Sequence, residues 1–144
     1  MLESTGLMPH FKHFAKASVE SLKFNYMKRL IQIVEDDEDI RSILEIILED
    51  ANFNVETFGN VTSFQNRPCR EADLILLDVM LPDGNGIDVS RWLKADAQTA
   101  RIPILIMSAH ALVNDVLSST QVDGFISKPF DIDVFVNKIQ QTLH

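Results

Sequence analysis

The sequence has little of what secreted, fibrous or membrane-spanning proteins depend on. It contains a single cysteine, Cys69, so no internal disulfide can form. Five glycines and five prolines in 144 residues exclude a collagen-like or low-complexity chain. No apolar run approaches the roughly 18 residues that a membrane-spanning helix needs, and the first residues lack the apolar stretch of a secretory signal. We therefore expect a cytoplasmic protein without membrane insertion, long enough for one domain with its own core.

Negative charge dominates the chain but is unevenly distributed. The formal net charge is -8, and a protein this acidic repels the phosphates of nucleic acids, so we expect no direct contact with DNA or RNA. Residues 1–26 nevertheless carry a net charge of +1, whereas the remainder carries -9. We interpret residues 1–26 as an N-terminal extension and residues 27–144 as the domain proper. We expect the extension to be either a loose tail or a short amphipathic helix. Such a helix would cover a surface of the domain or pair with a second copy, so a homodimer is one of the alternatives. The helical alternative is based on an apolar repeat: Met8, Phe11, Ala15, Val19 and Leu22.

Short apolar runs alternate with helical patterns from residue 27 onward. The runs predict five strands, at residues 30–34, 53–58, 74–77, 104–107 and 124–127. The segments between and after them predict five helices, at residues 40–51, 60–66, 87–93, 109–119 and 131–143. Strands that are separated by helices lie parallel in one sheet. We therefore predict an α/β fold with a single doubly wound five-stranded parallel sheet and five helices.

Polar residues follow four of the five predicted strands. Glu35 and Asp36 end the first strand, Asp78 the third, Ser108 the fourth and Lys128 the fifth. In open parallel sheets the functional crevice lies outside the carboxyl ends of the strands. We therefore expect these side chains to converge at one edge of the sheet.

The chemistry of this group suits phosphoryl transfer. Three carboxylates repel one another unless a cation joins them, and Mg2+ prefers oxygen ligands. Asp36 and Asp78 suit direct ligation, while Glu35 would reach the ion through a water. Lys128 can bind a phosphate, and the hydroxyl of Ser108 can donate a hydrogen bond to it. A carboxylate can also act as the nucleophile and form an aspartyl phosphate.

Each of these residues has an ordinary interpretation when it is taken singly. An acidic run after a strand is usually a solvated helix start, a serine there is a helix cap, and a lysine is a surface charge. Asp78 is the exception, because a carboxylate directly after four apolar residues is costly to bury. The expected convergence at one edge favours a functional site over the separate ordinary readings.

The chain resembles the response-regulator receiver family of two-component signalling. Four sequence motifs carry the resemblance, in the order in which the family has them. They are IQIVEDDEDIR at 31–41, LILLDVMLPDGNGID at 74–88, ILIMSAH at 104–110 and GFISKPF at 124–130. The resemblance implies the flavodoxin-like receiver fold over nearly everything from residue 27 to the end.

The resemblance also implies roles for individual residues. Asp78 would be the phosphoacceptor. Glu35 and Asp36 would be the acidic pair that holds Mg2+ together with Asp78, with Mn2+ able to substitute, and Met80 would ligate the ion through its backbone carbonyl. No further cofactor is implied.

Three more residues acquire roles from the same resemblance. Ser108 would be the switch hydroxyl and Lys128 the phosphate-binding lysine, whose bond to Pro129 is often cis in this family. Phe125 would be the aromatic side chain that moves inward on activation. The segment between Ser108 and Lys128 is shorter than is usual, which predicts a shortened or irregular fourth helix.

The implied function is a phosphoacceptor signalling domain and not an enzyme with free substrates. Its phosphodonor would be a sensor histidine kinase or a histidine phosphotransfer protein, and its downstream target is an unknown protein. Because the last predicted helix ends at the terminus, we expect a stand-alone receiver that switches a binding surface or passes the phosphoryl group on. A fragment of a longer regulator remains an alternative.

Three other interpretations fit the sequence less well. An aspartate-dependent phosphatase of the haloacid dehalogenase type would need a second aspartate where Met80 stands. A receiver-like protein without the switch would not need Asp36, Asp78, Ser108 and Lys128 together. The Asp83–Gly86 run lacks the spacing and terminal glutamate of a calcium-binding loop.

Overall fold

A five-stranded parallel sheet forms the centre of the protein in a computed structural model, which describes residues 27–68, 71–109 and 121–144. Its strands are β1 (Leu30–Val34), β2 (Asn54–Phe58), β3 (Leu74–Asp78), β6 (Ile104–Ser108) and β7 (Gly124–Ser127). All neighbouring strands are parallel, as the sequence predicts, and their order is β2-β1-β3-β6-β7. A separate antiparallel hairpin consists of β4 (Met80–Leu81) and β5 (Gly84–Asn85).

Four helices lie within the described residues. They are α1 (Glu38–Asp50), α2 (Val61–Gln65), α3 (Gly86–Ala95) and α4 (Ile132–Thr142). The predicted fourth helix, at 109–119, lies outside the described residues apart from Ala109, and so does the extension at 1–26. None of the described helices is long and apolar enough to cross a bilayer.

Local sequence explains where α1 begins and ends. The carboxylate of Asp37 accepts hydrogen bonds from the backbone N–H groups of Asp39 and Ile40, at 2.9 and 3.1 Å. This N-cap satisfies donors that have no partner inside the helix. At the other end Asn52 has a φ of 72°, in the left-handed region that asparagine tolerates better than most residues. The chain therefore leaves the helix there and enters β2.

Each face of the sheet has its own hydrophobic core. The inner strands β1, β3 and β6 are buried on both faces, which accounts for their nearly continuous apolar sequences. One core, beneath α2 and α3, includes Val34, Phe64, Ile75, Leu77, Val89, Leu93, Ile104 and Ile106. The other, beneath α1 and α4, includes Ile31, Ile33, Leu44, Leu48, Leu74, Leu76, Leu105, Met107, Phe135 and Ile139.

The β4–β5 hairpin lies between the end of β3 and the start of α3. Met80 pairs with Asn85, and Leu81 pairs with Gly84. The sequence predicts a turn at 82–86 but not this ladder, because strands of two residues carry no periodic signal. The hairpin fixes the chain directly after Asp78.

Candidate functional site

The register of the sheet brings the predicted carboxylates together. Val34 pairs with Leu77, so the residues that follow β1 lie beside the last residue of β3. One carboxylate oxygen from each of Glu35, Asp36 and Asp78 lies within 4.8 Å of the other two. Among the described residues, no other group of three histidines, cysteines or acidic residues is gathered in this way. The predicted convergence of these three residues is confirmed.

Lys128 reaches the same pocket from β7. Its Nζ donates hydrogen bonds to Oε1 of Glu35 and, at 3.1 Å, to Oδ2 of Asp78. The backbone N–H of Lys128 donates to the carbonyl oxygen of Ser108 at 2.8 Å, which ties the end of β7 to the end of β6. The peptide bond between Lys128 and Pro129 is cis, as the resemblance implies. The lysine therefore bridges two of the three carboxylates.

Burial makes it costly for the carboxyl groups of the pocket to carry charge. Glu35 is fully buried and Asp78 nearly so, whereas Asp36 is exposed and keeps one side of the pocket open to solvent. Burial, together with hydrogen bonding to Asp78, raises the pKa of Glu35 to about 7. Burial alone would lower the pKa of Lys128, but its contacts with Glu35 and Asp78 outweigh this and raise it. One ammonium group thus faces three acids, which leaves an excess of negative charge that suits a cation.

Backbone hydrogen bonds hold Asp78 in place. The N–H of Val79 donates to the carbonyl of Met107 at 3.2 Å, and the N–H of Gly86 donates to the carbonyl of Val79 at 2.9 Å. The N–H of Met80 lies 3.4 Å from Oδ1 of Asp78, while the Met80 side chain is exposed. The Asp78 carboxylate is therefore presented from a backbone that is fixed on both sides.

Gly86 and Asp83 contribute to this region without having been assigned a role from the sequence. A Cβ atom added at Gly86 would overlap the carbonyl of Asp78, so only glycine fits.

The Asp83 carboxylate accepts hydrogen bonds from the Thr62 hydroxyl and from the N–H groups of Thr62 and Val61, at 2.6, 2.8 and 2.7 Å. These bonds, the one from the Thr62 hydroxyl first, lower the pKa of Asp83. The one sequence signal for either role is the glycine-rich turn at 84–86, because glycine is typical of places where two backbone segments approach closely.

Arg41 supports the acidic loop from α1. Its guanidinium donates to the carbonyl oxygen of Glu35 at 2.8 Å and lies 3.5 Å from that of Asp36. This contact fixes the backbone of the two acids, not their carboxylates. The sequence gives no signal for it, because it depends on how the loop after β1 turns back.

Ser108 and Phe125 lie on the two adjacent strands β6 and β7. Ser108 is buried at the end of β6, where it pairs with Ser127. Phe125 pairs with Ile106, is half-buried, and packs against the core beneath α2 and α3. The carbonyl oxygen of Ser108 accepts a hydrogen bond from the backbone N–H of Lys128, and Phe125 lies three residues before that lysine in the sequence. Their switching roles stay predictions.

The five-stranded sheet with carboxylates and a lysine at its carboxyl edge defines the class of receiver-like signalling domains. The family model of the response regulator receiver domain matches residues 31–140. The chain therefore belongs to the response regulator receiver family, as the sequence motifs indicate. Receiver domains take part in two-component signalling, where they interact with histidine kinases or phosphotransfer proteins and with effectors.

Two curated relatives differ in how much of their length the chain matches. The chain is 33% identical over 118 residues to the transcriptional regulatory protein GltR of Pseudomonas aeruginosa, covering 80% of this chain and 49% of GltR. It thus spans about half of that relative. It is 28% identical to the polar-differentiation response regulator DivK of Brucella ovis, covering 81% of this chain and 98% of DivK.

A solved structure has the same fold. The receiver domain of the sensor histidine kinase PA1611 from Pseudomonas aeruginosa superposes with a TM-score of 0.72 at 23% identity. The match covers 81% of this chain and 98% of that domain, which contains a magnesium ion in its active-site cleft.

Proposed function

We propose that this chain accepts a phosphoryl group on Asp78 from a phosphohistidine of a sensor histidine kinase or a histidine phosphotransfer protein. One observation carries the proposal: the Asp78 carboxylate shares a pocket with Glu35, Asp36 and the Lys128 ammonium. An isolated surface carboxylate would have no group ready to balance the charge of an incoming phosphoryl group. Here Lys128 is already within hydrogen-bonding distance.

The transfer follows from these positions. An oxygen of Asp78 attacks phosphorus, the new O–P bond forms, and the P–N bond to the imidazole breaks. The bonding electron pair stays on the imidazole nitrogen of the donor. Lys128 then donates to a phosphoryl oxygen in place of the Asp78 oxygen that it contacts before transfer. The phosphoryl group stays on Asp78 and is not released as a product, as the proposed signalling function requires.

The same pocket is proposed to hold Mg2+, for which Mn2+ would substitute. Asp36 and Asp78 would ligate it directly, Glu35 through a water, and the backbone carbonyl of Met80 would complete the protein ligands. When bound, the ion supplies positive charge that stabilises the transferring phosphoryl oxygens. The support comes from the three clustered acids with one ammonium group, and from the magnesium ion in the related PA1611 receiver.

A switch between two states is proposed to start at Ser108. Its hydroxyl would move towards the new phosphoryl group, and Phe125 would move inward into the space released. Both residues are on adjacent strands whose ends are joined by the hydrogen bond from Lys128 N–H to the Ser108 carbonyl. The charge of the phosphoryl group therefore acts on the adjacent ends of β6 and β7. It would favour one of the two states of this region over the other, as phosphorylation does in other switches.

For the whole protein we propose that residues 27–144 form the receiver domain. We also propose that this domain acts without an effector domain of its own and signals by binding a partner protein. The chain would switch a binding surface or pass the phosphoryl group on in a phosphorelay. The nearly full-length match to DivK supports a free receiver of this size.

Labelling with a small phosphodonor tests the proposed acceptor function. We expect acetyl phosphate with Mg2+ to add one phosphoryl group per chain, seen as an acid-labile mass increase. A chelator added beforehand should suppress the increase, because three acids then face the donor with only one cation. A chain that gains no label from acetyl phosphate or from any phosphorylated histidine protein would refute the proposal.

The pKa of Glu35 predicts a pH dependence of metal binding. Its folded-state pKa, about 7, exceeds the usual 4.5, so below about pH 7 the metal-free fold retains a proton there that ion binding must release. The increase in Tm on adding Mg2+ should therefore be larger at pH 8 than at pH 6. Thermal unfolding with and without Mg2+ at both pH values measures this. In a Glu35→Gln variant the increase should no longer depend on pH between 6 and 8, and a dependence unchanged from wild type would contradict the assignment.

A further inference from the structure

The guanidinium of Arg41 contacts both peptide groups that flank Asp36. Its Nη1 donates a hydrogen bond to the carbonyl oxygen of Glu35 at 2.8 Å and lies 3.5 Å from the carbonyl oxygen of Asp36. The first oxygen belongs to the peptide group before the Asp36 Cα atom, and the second belongs to the peptide group after it. A single nitrogen of the half-buried Arg41 side chain therefore holds the main chain on both sides of Asp36.

The neighbours of Asp36 have further hydrogen bonds of their own. The N–H of Glu35 donates to the carbonyl of Phe58 in β2 at 3.0 Å, and the N–H of Asp37 lies 3.4 Å from Oε2 of Glu35. The Asp37 carboxylate caps α1. The side chain of Asp36 is exposed, in contrast to the buried Glu35, so its direction depends on the orientation of its own main chain.

Gly59 leaves the space in which the guanidinium lies. A Cβ atom added at Gly59 would be 3.0 Å from Nη1 of Arg41, and its three nearest atoms would all belong to this guanidinium. The φ of Gly59 is not in the left-handed region, so its backbone conformation does not require glycine. The guanidinium thus lies between the loop after β1 and the loop after β2, where the chain has no side chain to crowd it.

An ordered main chain at Asp36 matters for the ion that the pocket is proposed to hold. Mg2+ requires nearly ideal octahedral geometry at short distances from its oxygen ligands. Groups that orient the ligands of a metal typically change its affinity by about 10–100-fold. A ligand loop that is ordered before the ion arrives also loses less conformational entropy on binding.

We propose that Arg41 is a positioning residue for divalent-cation binding, which orders the Glu35–Asp36 main chain in the metal-free protein. This inference rests on the proposed Mg2+ site and extends it to a residue that does not touch the ion. Repulsion between charges has the opposite effect, because a guanidinium near an acidic pocket makes the pocket less attractive to a cation. The sign of the affinity change on removing Arg41 therefore shows which effect is larger.

The Mg2+ affinity of an Arg41→Met variant tests the proposal. Methionine keeps an unbranched side chain on α1 but has neither the charge nor the N–H donors of arginine. We expect the dissociation constant of Mg2+, measured by amide NMR titration well below the Tm of each variant, to rise about tenfold. A role confined to the stability of α1 would lower the Tm and leave the affinity of the folded chain unchanged.

The amide spectrum of the metal-free protein gives a second readout. The N–H groups of Asp36 and Asp37 belong to the two peptide groups whose carbonyl oxygens face Arg41. We therefore expect Arg41→Met to shift the amide signals of Asp36 and Asp37 more than the signal of Met80, on the opposite side of the pocket.

Two further variants serve as controls. Arg41→Lys keeps the positive charge, and its ammonium can donate to the Glu35 carbonyl as the single arginine nitrogen does, so the dissociation constant should stay within about threefold of wild type. Arg91→Met removes a guanidinium from α3, where the ion pair with Asp88 is exposed. It should leave the dissociation constant within about twofold of wild type.

Unchanged or tighter binding of Mg2+ by Arg41→Met would overturn the proposal, because the positioning effect would then be absent or smaller than the effect of charge. Equal weakening by Arg41→Met and Arg41→Lys, or by Arg41→Met and Arg91→Met, would overturn it as well. A wild-type chain that binds no Mg2+ refutes the proposed metal site together with this inference. Normal binding by wild type that Arg41→Met does not weaken refutes this inference alone.

Discussion

Replacing Asp78 with asparagine should abolish labelling by acetyl phosphate and by any phosphohistidine donor. The amide has nearly the same shape but is a far weaker nucleophile than the carboxylate. The fold should persist, because the loss of the contact with Lys128 is offset by relief of repulsion from Glu35 and Asp36. We expect the free energy of unfolding without divalent ions to change by less than about 1 kcal/mol.

Asp88→Asn is the matched control for this variant. Asp88 is an exposed acid on α3 whose ion pair with Arg91, at 3.5 Å, is solvated and contributes little. Both substitutions remove one carboxylate, so net charge is held constant between them. Labelling should be normal in the Asp88 variant. Full labelling of the Asp78 variant, measured by intact mass, would remove Asp78 as the acceptor.

Replacing Gly86 with alanine should destabilise the domain more than any other single methyl addition discussed here. The new Cβ would overlap the Asp78 carbonyl and lie 2.9 Å from its carbonyl carbon, so the backbone of β3 or α3 must shift. Alanine favours helix over glycine by at most about 1 kcal/mol. An overlap at 2.1 Å should cost about 3 kcal/mol, the upper end of the range for overpacked sites. Urea unfolding should therefore show a net loss of about 2 kcal/mol.

Gly59→Ala provides the comparison for Gly86. Its added methyl would meet only the guanidinium of Arg41, at 3.0 Å, which is the far end of a flexible side chain. We expect its free energy of unfolding to stay within about 0.5 kcal/mol of wild type. Equal stabilities of the two alanine variants would show that the close approach of Gly86 to Asp78 has no energetic consequence.

Much of the fold was predictable because its signals are local. The apolar runs of β1, β3 and β6 are long enough to be buried on both faces, and Asp37 and Asp131 cap their helices through side-chain hydrogen bonds. Parallel order then follows from the alternation of strands with helices. The convergence of Glu35, Asp36, Asp78 and Lys128 could be predicted from the same alternation, since parallel strands end at one edge.

The remaining features depend on contacts between segments that are distant in sequence. The hydrogen bonds from α2 to Asp83 link residues about twenty positions apart, and the Arg41 bond depends on the turn of the Glu35 loop. Nothing in either local sequence distinguishes these side chains from solvated surface charges. The raised pKa of Glu35 likewise comes from its complete burial, which no periodicity at the end of β1 indicates.

The most direct test of the account is to locate the phosphoryl group on the chain. After labelling with acetyl phosphate and Mg2+, borohydride converts an aspartyl phosphate to homoserine, which peptide mass spectrometry assigns to one position. The account predicts homoserine at position 78 and at no other. Homoserine at Asp36 or Asp83, or a label carried by a histidine, would contradict it.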